Sequence, residues 1–360
     1  MPTSFAVVIT NYNYGRFVLE AVASALAQTR PPERVIVIDD GSTDDSAMRL
    51  RQAYASDPRV ELIFSANRGQ LAGFANGAAR AGTDVVCFLD ADDLWEPDYL
   101  ARLGRLYDAR PDVDFVFSDL RQFGQSEGSE AFGPGEEDLG YTAVMTYLTA
   151  AWYGASTSAL SMRLYWARRC TDFPEPFLHM WRLCADACVL LSASVYGARK
   201  YYLPTNNVRY RVHGANGWYG NRTAASDYRE SLAKRATVNY CARLVGIDAN
   251  CAVTLALEYA TKPAPSIGET VRYRDVMEQL ARDPASLHPL QNLPAPRHEP
   301  RLPGEASLAR HPEQAVAPPA PVARPELPHP FITIGRRSPW RHPRRYLRDI
   351  LRVMLQKPNF

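Results

Sequence analysis

Four short apolar runs punctuate the first 90 residues: FAVVIT at 5–10, RVIVID at 34–39, VELIF at 60–64 and DVVCFLD at 84–90. They are rich in β-branched residues and lack the alternation of a strand with one wet face. Continuous runs of this kind suit parallel strands buried on both faces. Between them the apolar spacing becomes helical. Val18, Val22, Ala25 and Leu26 share one helix face, Ala47, Leu50 and Tyr54 a second, and Leu71, Ala75 and Ala79 a third. Asp44 and Asp45 suit the start of the second helix. Glu96-Pro97-Asp98 opens a fourth helix with Tyr99, Leu103 and Leu106 on its apolar side, and VDFVFSD at 113–119 is a further strand. Strands alternating with helices predict an open α/β sheet with right-handed crossovers.

Past residue 120 the pattern thins. Residues 121–140 are polar and Gly-rich and read as a mobile loop. The spacing predicts helices near 179–196, over 226–245 and within 251–282. Thirteen of the 28 prolines fall between 284 and 330, which predicts an extended linker. Residues 334–360 carry eight Lys/Arg against the single acid Asp349, with Tyr346, Ile350, Leu351, Val353 and Met354 on an apolar side. The expected organisation is a catalytic domain over 1–222, a helical extension over 223–283, a Pro-rich linker over 284–333 and a basic amphipathic helix over 334–360.

Composition narrows the function classes. The chain has 360 residues and a formal net charge of +2, yet the basic tail means that the rest is net acidic. That is not the footprint of a nucleic-acid binder. The six cysteines form no CxxC pair, which argues against a zinc site, and Cys184 and Cys188 read as small apolar residues. The N-terminal apolar run is too short for a signal peptide, and no segment has the length of a membrane-spanning helix. The expected location is cytoplasmic, with the tail helix suited to an anionic membrane surface at the inner face of the cell membrane. Docking of that helix on the catalytic domain or on a partner is the other reading.

Polar clusters follow three of the strands: TNYNYG at 10–15, DDGSTD at 39–44 and DADD at 90–93. Ligands of open parallel sheets sit beyond the carboxyl ends of the strands, so all three clusters are expected in one crevice. There is no GxGxxG after the first strand and no GxxxxGK[ST], which excludes dinucleotide and P-loop chemistry. Carboxylates spaced Asp-x-Asp at a strand end can face one hard cation, which shares its shell with substrate phosphates.

TNYNYGRFVLEAVASALAQT, VIVIDDGSTDDS, NRGQLAGFANGAARAGTD and FLDADDLWEPDYL, in this order, resemble the family 2 glycosyltransferases. The resemblance is dense over about residues 5–120 and thinner to about 220. It implies the GT-A fold, a Rossmann-like, open, twisted, mostly parallel sheet flanked by helices, with a helical C-terminal extension here. It also implies inverting transfer of a sugar from a nucleotide-sugar donor, UDP-linked by preference, with Mn²⁺ or Mg²⁺ as cofactor. The acceptor would be a glycan or a lipid-linked molecule in cell-surface polysaccharide synthesis.

By position, Thr10 and Tyr12 would lie along the base, Asp40 would accept from the uracil ring, and Asn67 and Asn76 would flank the nucleotide. Asp90 would sit near ribose and metal, Asp92 on the metal, and Asp93 would cap a helix or orient the loop. Many members carry Arg where Ala75 stands, so Arg68 or Arg80 is expected to supply the phosphate contact. RLCADACVLLSASVYG at 182–197 makes Asp186 the candidate general base, although Ala185 stands where many members have a second acid. YRVHGANG at 210–217 makes His213 a candidate metal ligand or diphosphate contact, with Arg211 as an alternative phosphate contact or a solvated charge. Trp152, Tyr153 and Ser156–Ser158 would line the acceptor side. The rival readings are a non-catalytic nucleotide-sugar-binding scaffold, which would have no base, and a sugar nucleotidyltransferase, which would need a Gly-rich basic loop after the first strand.

Overall fold

A computed structural model describes residues 2–217, 223–247 and 252–282, all within one compact unit. The expected linker 284–333 and basic helix 334–360 lie outside the described residues. The strands are β1 (Phe5–Asn11), β2 (Arg34–Asp39), β3 (Val60–Phe64), β4 (Val85–Asp90), β5 (Leu94–Trp95), β6 (Phe115–Phe117), β7 (Leu120–Gly124), β8 (Gly128–Glu130), β9 (Glu137–Gly140), β10 (Leu160–Arg163), β11 (Lys200–Tyr202) and β12 (Val208–Val212). The helices are α1 (Val18–Leu26), α2 (Ser46–Tyr54), α3 (Gln70–Arg80), α4 (Tyr99–Ala109), α5 (Ala143–Thr149), α6 (Leu164–Arg169), α7 (Glu175–Met180), α8 (Ala185–Tyr196), α9 (Ala224–Val245), α10 (Ala252–Ala260) and α11 (Ile267–Arg282). None of them, among the described residues, is long and apolar enough to cross a membrane.

Among the described residues, eight strands form a sheet in the order β3-β2-β1-β4-β10-β6-β11-β9. β1 runs parallel to β2 and to β4, and β2 parallel to β3. β10 is antiparallel to both β4 and β6, so the sheet is mostly parallel rather than wholly so. Side chains of β1 alternate between two covered faces. Phe5, Val7 and Ile9 join Val18, Val22 and Leu103 in one core, and Val8 packs under α3. This is why its apolar run is continuous.

The fit of α3 on β1 depends on glycine. A Cβ at Gly77 would stand 2.4 Å from Val8 Cγ1, and one at Gly73 would stand 2.7 Å from Thr10 Cγ2. The buried stripe of α3 is therefore Leu71, Gly73, Phe74, Gly77 and Ala78, not the expected Leu71, Ala75 and Ala79. Gly77→Ala should destabilise by about 1–3 kcal/mol through overpacking, exceeding the ~0.5–1 kcal/mol that Ala gains over Gly in a helix. A urea unfolding midpoint equal to that of the wild type would contradict this.

The expected loop at 121–140 is instead built around β7, β8 and β9. β7 and β8 pair with each other, and a second, four-stranded sheet runs β5-β12-β7-β8. β8 is exposed along its length, so its strand has no apolar face to betray it. The helix expected near 179–196 is two helices, α7 and α8, separated by a turn in which Cys184 takes a left-handed φ of 58°. The described cysteines are free thiols.

The C-terminal helices are keyed into the rest by buried charge. Glu258 of α10 accepts from the N–H groups of Val144 and Met145 at 2.7 and 3.0 Å, satisfying the amino end of α5. Glu269 of α11 pairs with Lys262 at 3.0 Å and accepts from the Tyr153 hydroxyl at 2.8 Å. Both members of that ion pair are almost wholly shielded from solvent.

Candidate active site

The three strand-end clusters do converge. Register pairs Asn11 with Asp39 and Thr10 with Asp90, so the residues ending β1, β2 and β4 open on one edge of the sheet. The crevice there has a volume of about 400 Å³, within the range of small-molecule sites. Asn11 Nδ2 donates to Asp39 at 2.8 Å, and Asn13 Oδ1 accepts from the Thr43 N–H at 2.7 Å, tying the first two loops together.

Asp40 lines the crevice with its carboxylate oriented by two backbone donors, Arg68 N–H at 2.8 Å and Gly69 N–H at 2.7 Å. Gly69 has φ of 91°, and a Cβ there would meet Arg182 Cα at 2.6 Å, so only glycine fits. Thr10, Tyr12 and Asn67 also line the crevice. Asn76 does not reach it: its carboxamide accepts from Arg80 at 3.0 Å on the third turn of α3. Arg80 pairs with Glu61 and Arg68 with Glu175. The cation that does line the crevice is Arg182, which donates to the Asn67 side chain.

The three aspartates of FLDADDLW have separate surroundings. Asp90 accepts from Gln70 Nε2 at 2.8 Å. Burial, reinforced by Asp92, Asp93 and Asp186, holds its pKa well above the ordinary carboxylate range. Asp92 Oδ2 lies 3.0 Å from His213 Nε2 and 3.4 Å from Asn216 Nδ2. Asp93 is fully buried and accepts from the Ser158 hydroxyl at 2.6 Å and the Arg211 N–H at 2.8 Å. It orients the loop and caps no helix, because β5 follows it and α4 begins only at Tyr99.

Asp186 faces the same crevice from the first turn of α8. Asp186 is part-buried, and desolvation of its carboxylate raises its pKa to about 6, the Ala187 N–H opposing that rise. Gln70 joins this helix to the strand ends: its Oε1 accepts from the Ala185 N–H at 2.9 Å while its Nε2 holds Asp90. Ser156 and Thr157 line the crevice, whereas Tyr153 is buried against Glu269 and Trp152 lies under the Lys234 ammonium at 4.9 Å. Gln70, Tyr14, Tyr210, Arg182 and Asn216 belong to the lining and were not singled out from the sequence. All five sat in segments already marked, but nothing local in those segments singled them out; the fold brings them to the crevice.

Charge in the crevice is lopsided. Among the described residues, Asp40, Asp90, Asp92 and Asp186 face one lining cation, Arg182. A nucleoside diphosphate would therefore meet like charge, which is costly at short range, unless a further cation enters with it.

Comparison with known proteins agrees with this arrangement. Residues 6–141 match the family described as Glycosyl transferase family 2. An uncharacterized glycosyltransferase of Nostoc sp. is 35% identical over 238 residues, which cover 64% of this chain and 70% of the relative. The succinoglycan biosynthesis protein ExoU of Rhizobium meliloti is 35% identical over 133 residues, 37% of each chain, so little more than a third of that relative is spanned. The solved structure of S. aureus TarS 1–349 in complex with UDP superposes with a TM-score of 0.51 at 15% identity, covering 79% of this chain and 73% of that one. At that identity the likeness is one of fold, and it matches the mostly parallel sheet flanked by helices. The chain belongs to the family 2 glycosyltransferases.

Proposed function

We propose that this glycosyltransferase moves a sugar, with inversion, from a UDP-sugar to a glycan or lipid-linked acceptor in cell-surface polysaccharide synthesis, and that it needs Mn²⁺ or Mg²⁺ to do so. The observation that carries this reading is the crevice itself, where Asp40, Asp92 and Asp186 face one space and the buried His213 lies 3.0 Å from Asp92. TarS was crystallised with UDP and with UDP-GlcNAc, which supports a UDP-linked donor. The name of ExoU supports a polysaccharide product.

The residues present fit a divalent cation. Among the described residues no three His, Cys, Asp or Glu side chains are grouped as a complete metal cage. A hard cation that shares its shell with substrate phosphates needs only one or two protein ligands. The 3.0 Å between Asp92 Oδ2 and His213 Nε2 is close to the ~3 Å separating neighbouring ligands of an octahedral ion with ~2.1 Å bonds. Asp92 and His213 would hold the ion, with Asp90 beside them. His213 Nδ1 accepts from the Ala215 N–H at 3.2 Å, which assigns the ring proton to Nε2. To hold a cation at Nε2, His213 would carry its ring proton on Nδ1 instead, a tautomer that would not accept from the Ala215 N–H. When bound, the cation supplies charge to offset the leaving diphosphate.

The chain's own groups account for the rest. Asp40, held by two backbone donors, presents lone pairs to an N–H of the base, and Tyr12 is exposed enough to lie along it. Asp186 takes the proton of the acceptor hydroxyl as that oxygen attacks. A pKa of about 6 leaves it ionised at neutral pH yet basic enough to accept. A scaffold would have no use for such a carboxylate facing the donor crevice.

The test is a thermal-shift screen of nucleotide sugars. A UDP-sugar should raise the melting temperature in Mn²⁺, since a ligand at a hundredfold excess over Kd stabilises by about 2.7 kcal/mol. Asp92→Ala should abolish the Mn²⁺-dependent part of the rise. An equal shift in EDTA would remove the metal from the account.

A further inference from the structure

Arg211, read from the sequence as a phosphate contact or a solvated charge, is largely covered and bonded to protein groups. It is the fourth residue of β12, and its side chain is only 14% exposed. Nε donates to the main-chain carbonyl of Asp92 at 2.7 Å, and Nη2 to Glu20 Oε2 at 2.7 Å. The guanidinium lies over the rings of Phe17 and Phe123, 4.6 Å from each centroid. Its own N–H donates to Asp93, and its carbonyl accepts from Asn216 Nδ2 at 2.9 Å. The same Asn216 accepts from the His213 N–H at 2.6 Å, and Phe17 packs on the His213 ring at 4.7 Å.

Several of these contacts converge on Asp92 and His213. The guanidinium fixes the peptide of Asp92, and its neighbours fix the backbone and ring of His213. A charge-assisted bond to a carbonyl is stronger than a neutral one, and a planar guanidinium can bond in its plane while stacking on rings.

We infer that Arg211 is a positioning residue that sets the 3.0 Å spacing of Asp92 and His213 for a divalent cation, with Glu20 of α1 anchoring it from behind. The inference rests on the reading of that pair as the cation site. Groups behind the ligands that orient them commonly change metal affinity by ~10–100-fold when removed.

Arg211→Met keeps an unbranched side chain between the two rings and removes every guanidinium bond. Mn²⁺ affinity is read from the EPR signal of the free ion, with UDP present, on protein shown by circular dichroism to be folded. Arg211→Met should bind Mn²⁺ about 10–100-fold more weakly. Glu20→Gln, which removes only the anchor, should show a smaller loss in the same direction and serves if the first variant does not fold. Glu258→Gln, in the buried network of α10, is the control for general destabilisation and should leave Mn²⁺ affinity at the wild-type value. If the wild type binds no Mn²⁺, or Asp92→Ala binds it as well as the wild type does, the metal reading itself fails. If wild-type binding depends on Asp92 but a folded Arg211→Met, or failing that Glu20→Gln, matches the wild type, the inference about Arg211 is overturned. A loss shared by Glu258→Gln overturns it as well.

Discussion

Asp186→Asn should lower sugar transfer by about 10²–10⁴-fold, the usual share of a positioned general base, while UDP binding stays close to wild type. The pH dependence follows from the raised pKa. The base works only when ionised, so transfer in the wild type should rise with pH through about 6 and level off above it. At one unit below that pKa only about a tenth of the groups are ionised, so the rate should fall about tenfold. Stability runs the other way. A carboxyl whose folded pKa is raised above its unfolded value contributes stability below the unfolded value, and that contribution is lost as pH rises through about 6. The Asn variant removes this loss, so above pH 6 it should melt no lower than the wild type. A variant that loses UDP binding and stability together would identify Asp186 as a structural residue.

The second large effect concerns the distal helices. Glu269→Ala should destabilise the fold by about 3–5 kcal/mol, because it leaves Lys262 buried without its carboxylate. Lys262 would keep the carbonyls of Leu139 and Tyr141, the Tyr273 ring and the attraction of the nearby Glu258. Tyr153 would lose the acceptor of its hydroxyl. That loss is a large fraction of the roughly 5–15 kcal/mol by which such domains are stable. The double change Lys262→Met with Glu269→Leu should recover much of it, since apolar replacement of a buried pair is often neutral or better. Urea unfolding measures both. A single variant within about 1 kcal/mol of wild type would show that water or a rearranged partner satisfies Lys262.

The elements around the crevice were legible because their sequence patterns have one physical cause each. β1, β2 and β4 are covered on both faces, so they read as unbroken apolar runs, and their polar ends read as ligand loops. The buried face of α3 was misplaced because Gly73 and Gly77 pack by having no side chain, which an apolar pattern does not register. β7 to β9 were taken for a loop because that stretch is polar and much of it exposed, so hydrophobicity is silent about it.

Within the site, the separate surroundings of Asp90, Asp92 and Asp93 depend on residues 20 to 124 positions away, such as Gln70, Ser158 and Asn216. No local signal in FLDADDLW distinguishes a buried orienting Asp from one that faces the crevice. Arg182 and Gln70 were missed for the same reason. They meet through the Gln70 N–H, which donates to the Arg182 carbonyl at 3.0 Å, a contact between segments far apart in the chain. Asn76 shows the converse: a position favoured by resemblance that the helix turns toward Arg80 instead.

The central claim is that Asp186 drives an inverting transfer in a crevice that needs Mn²⁺ or Mg²⁺. Proton NMR of the slow turnover of an α-linked UDP-sugar, chosen from the thermal-shift screen, tests it most directly. With Mn²⁺ the wild type should release the free sugar first as its β-anomer, EDTA should stop the reaction, and Asp186→Asn should show none of it. An α-anomer appearing first, or undiminished turnover by Asp186→Asn, would contradict the account.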